Sequence, residues 1–514
     1  MSESSPFVLT PGTLGLGDLR ALWRNPRPVV LDPACGAAID AAAATVADVV
    51  RQGKRVYGVN TGFGSLARTT IDDTRLGELQ RRLVRSHSAG VGAPLPPRVV
   101  RLILLLKVNA LARGHSGVRR RVIDALLALL NAEAIPVIPA KGSVGASGDL
   151  APLAHLAGVL LGDGQVDLNG TRLPAGEALT RVGLAPLDLA AKEGIALLNG
   201  TQVSTALALD GLFAGLDAFA AALAAGALSV DAMLGSDVPF DPRIQAVRGQ
   251  PGQTAVARVL AAMLAGSGIR ASHLTCDRVQ DPYSLRCQPQ VMGAALDVLE
   301  SAAAMIAREA NAVSDNPLVF PDTGDILSGG NFHAEPVAMA ADMIAIAQAE
   351  VGALSERRIA LLTDAHMSAL PAFLIAEPGL NSGFMIAQVT AAALASENKG
   401  LAHPTSIDSL PTSANQEDHV SMATHGARRL GEIAWNTGHI VAIELLAGAQ
   451  GVDLRHPLKT SPALCEVMAA VRARSAFVGQ DRALAPDIAA IHDLVASGWF
   501  AERIQPNDAI SLLK

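Results

Sequence analysis

Aromatic side chains are scarce, at 3% of 514 residues, and the chain holds just two tyrosines, Tyr57 and Tyr283. A core must therefore be built from Ala, Leu, Val and Ile, and any phenol chemistry falls to those two positions. Charge is thin as well: 17% of residues are charged, with Lys+Arg 41 against Asp+Glu 48 and a net charge of −7. Without a basic excess the chain has no electrostatic footprint for a polyphosphate backbone, which excludes nucleic acid as a partner. Half the residues are apolar and mean hydropathy is +0.32, which excludes wholesale disorder. The four cysteines, Cys35, Cys276, Cys287 and Cys465, follow no zinc or redox spacing. Reduced thiols and a cytoplasmic location are expected. The N-terminus lacks a basic start followed by an apolar stretch, so no signal peptide is expected. The best membrane candidate, Ala218–Val230, is 13 residues long between two aspartates, short of the roughly 20 that a spanning helix needs. A soluble protein is expected.

What is present divides by texture. The first part mixes short elements: Arg55–Asn60 reads as a strand entering the Gly-rich loop Thr61–Ser65. The apolar run from Pro97 to Arg113 reads as a buried helix with Gly114 as its C′ stop. Val122, Leu126, Leu129 and Leu130 recur at helical spacing, and Ala134–Ala140 is extended because residues before proline avoid the α region. A helix follows from about Leu150 to Leu161, stopped at Gly162, and then a hairpin over Gly164–Arg172. From Gly200 the pattern becomes long, Ala-rich helix, with Asp210, Asp217 and Asp231 on one face and similar texture in Glu335–Leu362 and Ile433–Ala449. The fold class is mainly α: a smaller mixed N-terminal domain, 1–199, followed by a helix bundle, 200–514.

Chemistry concentrates first in Gly142-Ser-Val-Gly-Ala-Ser-Gly-Asp149. As plain structure this is a turn leading to a helix capped by Asp149, with Pro152 tolerated in its first turn. No Gly-Lys-Ser/Thr follows, so it is not a P-loop. The triplet Ala146-Ser147-Gly148 offers another chemistry. Gly148 presents an unhindered backbone nitrogen and Ala146 a nearly bare carbonyl two residues back. Ring closure and loss of the Ser147 hydroxyl as water would leave an exocyclic methylene, an electrophile made from the chain itself.

This segment, GSVGASGDLAPLAH from Gly142 to His155, resembles the signature of the histidine and aromatic amino acid ammonia-lyase family. Further family motifs follow in order over nearly the whole chain. The resemblance implies a helical ammonia-lyase fold, similar to the fumarase/aspartase class in architecture. It also implies a 4-methylidene-imidazol-5-one group formed autocatalytically from Ala146, Ser147 and Gly148, with no external cofactor. It makes Tyr57, in RVYGVNTGFG, the catalytic tyrosine. A phenol ordinarily ionises near pH ~10, so such a base needs its phenolate stabilised; the start of the helix near Leu150 favours negative charge. Asn199, whose plain role would be to cap the following helix, is placed on the substrate carboxylate or near the electrophile's carbonyl. In QDPYSLR, Gln280 lines the site, Tyr283 is a second active-site phenol, and Arg286 binds the carboxylate, for which a planar guanidinium is suited. Phe332 becomes a wall for the substrate ring.

Two positions bear on which amino acid is used. Members of the family that act on phenylalanine tend to carry Phe-Leu where this chain has Ser86-His87, those acting on tyrosine His-Leu, and those acting on histidine Ser-His. An imidazole ligand offers His87 a nitrogen to hydrogen-bond; a benzene ring does not. Glu417, in NQEDHVSM, can engage that imidazole or assist proton removal. His419, His425 and His439 come without the spacing of a zinc motif, and no metal is expected. The resemblance therefore implies a carbon–nitrogen lyase that converts L-histidine to trans-urocanate and ammonia, the first step of histidine degradation. Tyr57 is favoured as the base for the β-proton over Glu417. The substrate would be activated either through its amine or through its ring. It further implies a homotetramer with sites shared between subunits, Tyr57 and Glu417 reaching one site from different chains. The rivals are an aminomutase using the same electrophile, the fumarase/aspartase class, whose GSSxMPxKxN-like segment is missing, and a dead scaffold, which would have lost Ser147, Tyr57 or Arg286.

Overall fold

Proline and glycine cut the first two hundred residues into short pieces, whereas the later long helices carry proline only in their first turn, where it is tolerated. A computed structural model describes residues 5–62, 71–275, 279–504 and 509–513. The chain is mainly helical with short strands, as its composition predicts.

The helix Pro97–Leu111 begins with proline at its first position, where the missing N–H costs nothing, and is buried throughout from Leu102 to Leu111. It ends slightly earlier than expected: Ala112 is the cap, and Gly114 (φ +75°) lies two residues beyond it. Arg120–Asn131 buries Val122, Leu126, Leu129 and Leu130 on one face. Ile135–Pro136 pairs antiparallel with Gln165–Leu168, which pairs in turn with Thr171–Pro174. The hairpin loop Asn169-Gly170 has both residues at positive φ (51° and 76°), the twist-matched geometry of a two-residue turn. Pro139–Lys141 pairs instead with Val91–Pro94. Leu150–Leu160 is apolar, and Gly162 (φ +84°) follows its cap.

The compact units are discontinuous, whereas the expected boundary at 199/200 divides the chain into two contiguous pieces. One unit comprises Met1–Asp210, Ala303–Asp342 and Pro404–Arg428; the other comprises Gly211–Ala302, Met343–His403 and Arg429–Lys514. Among the described residues, long helices occupy Gln202–Ala232, Gln288–Ala310, Glu335–Thr363 and Ala423–Asp453. The 13-residue run between aspartates understates the first of these, which is 31 residues long. By length and composition alone four stretches among the described residues could cross a membrane, but 94% of the most apolar window of Gln202–Ala232 is buried inside the protein. Its apolar surface is already used in packing. Its acids are partnered too: Asp210 accepts from Trp23 Nε1 at 2.7 Å and pairs with Arg98, while Asp231 accepts from Ser267 and Thr460. In the second unit Arg358 and Glu444, both fully buried, form a bidentate ion pair that Ser229 and Ser355 complete.

Candidate active site

The Ala146-Ser147-Gly148 loop is shaped by where glycine is needed. Gly145 and Gly148 adopt φ of +65° and +76°, so the backbone reverses on both sides of Ala146-Ser147. Gly148 makes a parallel bridge with Gly200, and the Asp149 N–H donates to the Gly200 carbonyl at 2.7 Å. A Cβ at position 148 would run into the Gly200 backbone, so no other residue fits there. On the other side Ser421 Oγ donates to the Gly145 carbonyl at 3.0 Å, and the Met422 N–H donates to the Val144 carbonyl at 2.9 Å. Gly145 and Gly148 thus bend the triplet, and its flanks are pinned from two distant segments of the chain.

Asp149 departs from the expected role. It occupies the N-cap position of Leu150–Leu160 but makes no side-chain cap there. Its fully buried carboxylate instead accepts from the Ser204 N–H (2.7 Å), Ser204 Oγ (2.9 Å), Ser143 Oγ (2.9 Å) and Thr424 Oγ1 (2.6 Å). The cap therefore belongs to the first turn of Gln202–Ala232. Asn199, at the end of the short helix Glu193–Leu198, is freed from that duty, and its buried Oδ1 has no partner among the described residues.

Arg55–Asn60 is a turn, not a strand. Gly58 (φ +75°) reverses the chain, and Asn60 closes it by accepting from the Val56 N–H at 2.9 Å and donating to the Lys54 carbonyl. This turn carries Tyr57, half-buried. Of the expected Gly-rich loop after it, Phe63 to Ser65 lie outside the described residues.

A cavity of about 880 Å³ gathers Tyr57, His87, Ala146, Ser147, Asn199, Phe332 and Glu417 along its walls. Seven expected positions, from six stretches of sequence, therefore meet in one unit of one chain; Gly148 flanks them through its bridge to Gly200. Leu79, Leu83 and Ile195 give an apolar side, Asn316, His333 and Gln416 add polar groups that sequence reasoning did not single out, and His419, weighed there only as a metal ligand, joins them. The turn beside Glu417 is unusual: Ser413, Ala414 and Asn415 all hold positive φ (51°, 56° and 66°), a conformation costing about 1–3 kcal/mol each for side-chain-bearing residues. Glu417 Oε2 is buried without a partner among the described residues.

His87 is the last residue of the helix Leu76–His87, and its ring is oriented from within that helix. Nδ1 lies 2.9 Å from the Leu83 carbonyl, which only accepts, so Nδ1 carries the hydrogen. In the neutral ring Nε2 is then an acceptor. His155 serves structure instead: burial pulls its imidazole below the ordinary range, and its Nε2 accepts from the Gly90 N–H at 3.1 Å.

Three expected residues do not join this cavity. Gln280 and Arg286 line a separate cavity of about 480 Å³ in the second unit, and Tyr283 is 72% exposed. The Arg286 guanidinium lies over the Tyr283 ring at 4.5 Å, and its Nε donates to the Asp281 carbonyl. Expecting Tyr57 and Glu417 from different chains also fails, since both line the same cavity of one chain. Residues 404–428 belong to the first unit and bring Glu417 back to Tyr57.

Sequence reasoning also missed what lies behind the cavity. Lys107 is 1% exposed, and its ammonium donates to the Asn199 carbonyl at 2.6 Å. Lys192, fully buried, pairs with Asp315 at 2.7 Å. The signal was available: Lys107 is the one cation in the buried, otherwise nearly apolar run Leu102–Leu111.

A helical chain that bends an Ala-Ser-Gly triplet into a cavity with a phenol, an imidazole and a carboxylate fits one class of protein. Residues 14–473 match the family described as aromatic amino acid lyase, and the chain belongs to that family. It is a carbon–nitrogen lyase. Histidine ammonia-lyase of Aromatoleum aromaticum is 62% identical over 493 residues, covering 96% of this chain and 94% of that one. The crystal structure of histidine ammonia-lyase from Trypanosoma cruzi superposes with a TM-score of 0.92 at 41% identity, covering 99% and 97% of the two chains. Tyrosine aminomutase from Streptomyces globisporus also reaches 0.92, at 35% identity and 97% and 98% coverage.

Proposed function

We propose that this chain eliminates ammonia from L-histidine to give trans-urocanate, the first step of histidine degradation, as a cytoplasmic enzyme. One observation carries the choice of substrate: His87 lies in the same cavity as Ser147 with Nδ1 committed to Leu83, leaving Nε2 to accept from an imidazole N–H. A phenylalanine ring has no such donor. The 62% identity to relatives named histidine ammonia-lyase supports the same substrate.

In this reading Ala146, Ser147 and Gly148 close into 4-methylidene-imidazol-5-one. The residues fit such a group: φ reversals at Gly145 and Gly148, a position 148 that excludes any Cβ, and orphaned buried oxygens on Asn199 and Glu417, two residues that line the same cavity. Once formed, the group supplies an electrophile that draws electrons from the substrate and makes its β-proton removable. The side chains do the rest. Tyr57 removes the β-proton, Glu417 engages the far side of the imidazole, Asn199 meets the carboxylate or the ring carbonyl of the triplet, and Phe332 walls the substrate ring. Arg286 clamps the carboxylate, with Gln280 and Tyr283 beside it. Because these three do not line the cavity that holds Ser147, they serve a site completed by another copy, in a homotetramer.

The test is incubation with L-histidine, L-tyrosine and L-phenylalanine separately, following each unsaturated acid and any β-amino acid. Urocanate from histidine alone is expected, together with an intact mass lighter than the sequence by two waters, a deficit that Ser147→Ala abolishes along with activity. A β-amino acid product, faster turnover of a benzenoid substrate, or full activity at the unmodified mass would overturn the reading.

A further inference from the structure

Burying an ammonium is costly unless a carboxylate pairs with it, and Lys107 has no ion-pair partner among the described residues. Its Nζ instead donates to the Asn199 carbonyl at 2.6 Å and approaches Gln202 Oε1 at 3.4 Å. The surrounding charges are Lys192 with its partner Asp315, and Asp149. An apolar side chain would fill this helix position at no electrostatic cost, and every neighbour from Leu102 to Leu111 except Asn109 is apolar. The lysine therefore serves what it touches.

That contact is a junction. Asn199 lines the cavity while its backbone carbonyl takes the Lys107 hydrogen bond. The next residue, Gly200, bridges Gly148 and accepts from the Asp149 N–H. We propose that Lys107 is a positioning residue of the lyase reaction: by holding the Asn199 carbonyl it fixes the Asn199 amide and, through Gly200, the backbone of the Ala146-Ser147-Gly148 loop. The inference rests on the lyase reading above. Burial draws the Lys107 ammonium down to about 7, against the pull of Asp315 and Asp149, so placing an amine here carries a real cost.

The experiment compares wild type, Lys107→Met and Lys107→Gln, the last keeping a neutral N–H donor. Intact mass reports the cyclised fraction, and kcat and KM for histidine are expressed per cyclised subunit. Either folded Lys107→Met is largely uncyclised, or its kcat per cyclised subunit falls by roughly tenfold or more while KM changes less. That is the rate equivalent of losing one charge-assisted hydrogen bond. Lys107→Gln should lie between. A folded Lys107→Met that is fully cyclised with kcat and KM unchanged would overturn the proposal. Should Lys107→Met not fold, Lys107→Gln decides by the same criteria. Wild type that makes no urocanate would fail the lyase reading itself; active wild type with indifferent variants would fail this inference alone.

Discussion

Asp149 offers the sharpest test of how the loop is held. Its carboxylate accepts four hydrogen bonds, from the Ser204 N–H and from the hydroxyls of Ser204, Ser143 and Thr424, at 2.6–2.9 Å and out of contact with solvent. Bonds to a charged acceptor contribute about 1.5–3 kcal/mol each, so a naive sum would run to roughly 6–12 kcal/mol. The sum overshoots, because two donors have alternatives already in place. Ser204 Oγ also reaches the Thr201 carbonyl at 3.0 Å, and Thr424 Oγ1 reaches Ser143 Oγ at 2.9 Å. Asp149→Asn keeps the volume and one acceptor oxygen, so the uncompensated loss is one or two bonds, about 3 kcal/mol. The effect on maturation should be larger than that on stability. Ser143 opens the loop and Asp149 closes it, and the carboxylate is what ties the two ends together and to Thr424. Denaturant titration should therefore show a folded protein weakened by about 3 kcal/mol, and intact mass should show most of it still carrying both waters. A fully cyclised Asp149→Asn with stability within about 1 kcal/mol of wild type would refute the reasoning.

Three further outcomes are expected. His87→Leu should reduce kcat/KM for histidine far more than for a benzenoid amino acid, by the roughly 0.5–1.5 kcal/mol or more of a buried hydrogen bond; equal losses on both would make His87 structural. Lys107 is held at about 7 in the folded chain, whereas a free lysine ionises near ~10.4, so its destabilising contribution is full below pH ~7 and is relieved as pH rises toward ~10. Wild-type stability measured against Lys107→Met should climb by up to about 1.4 kcal/mol per pH unit in that window, and a difference flat from pH ~7 to ~9 would contradict it. Finally, co-expressing Tyr57→Phe with Arg286→Ala should restore activity at about a quarter of the sites if the two residues come from different chains of a closed oligomer. Tyr57→Phe with Glu417→Ala, whose positions line one cavity of one chain, should restore none; the reverse pattern would sink the shared-site assignment.

The sequence made local features legible wherever a residue's own backbone preference decides. Pro97 starting a helix, Gly162 following one and Asn169-Gly170 turning a hairpin are of this kind. The Arg55–Asn60 error has the same root seen from the other side: the segment reads as a strand, but Gly58 and the two side-chain bonds of Asn60 make a turn. Asp149 was misread because a capping residue was assumed to serve the helix it precedes, while Ser204, 55 residues later, competes for it from a different helix. No pattern within a window of ten residues reports that competition.

The chemistry was legible for a different reason, and that reason also sets its limit. Ala146, Ser147 and Gly148 are adjacent, so the motif that carries the electrophile survives in a linear reading. The groups acting on it are not adjacent: Tyr57, His87, Asn199, Phe332 and Glu417 meet only because residues 303–342 and 404–428 return to the first unit. Resemblance named those positions but put Tyr57 and Glu417 on different chains, whereas one chain brings both to one cavity. Lys107 falls outside both kinds of reading. It touches no substrate and stands in no motif, yet a cation in a run of ten otherwise nearly apolar buried residues is itself a signal, since burial without a carboxylate is tolerated only where the hydrogen bond it makes is needed. In a chain with so few charges, each buried one marks a place where geometry matters more than packing.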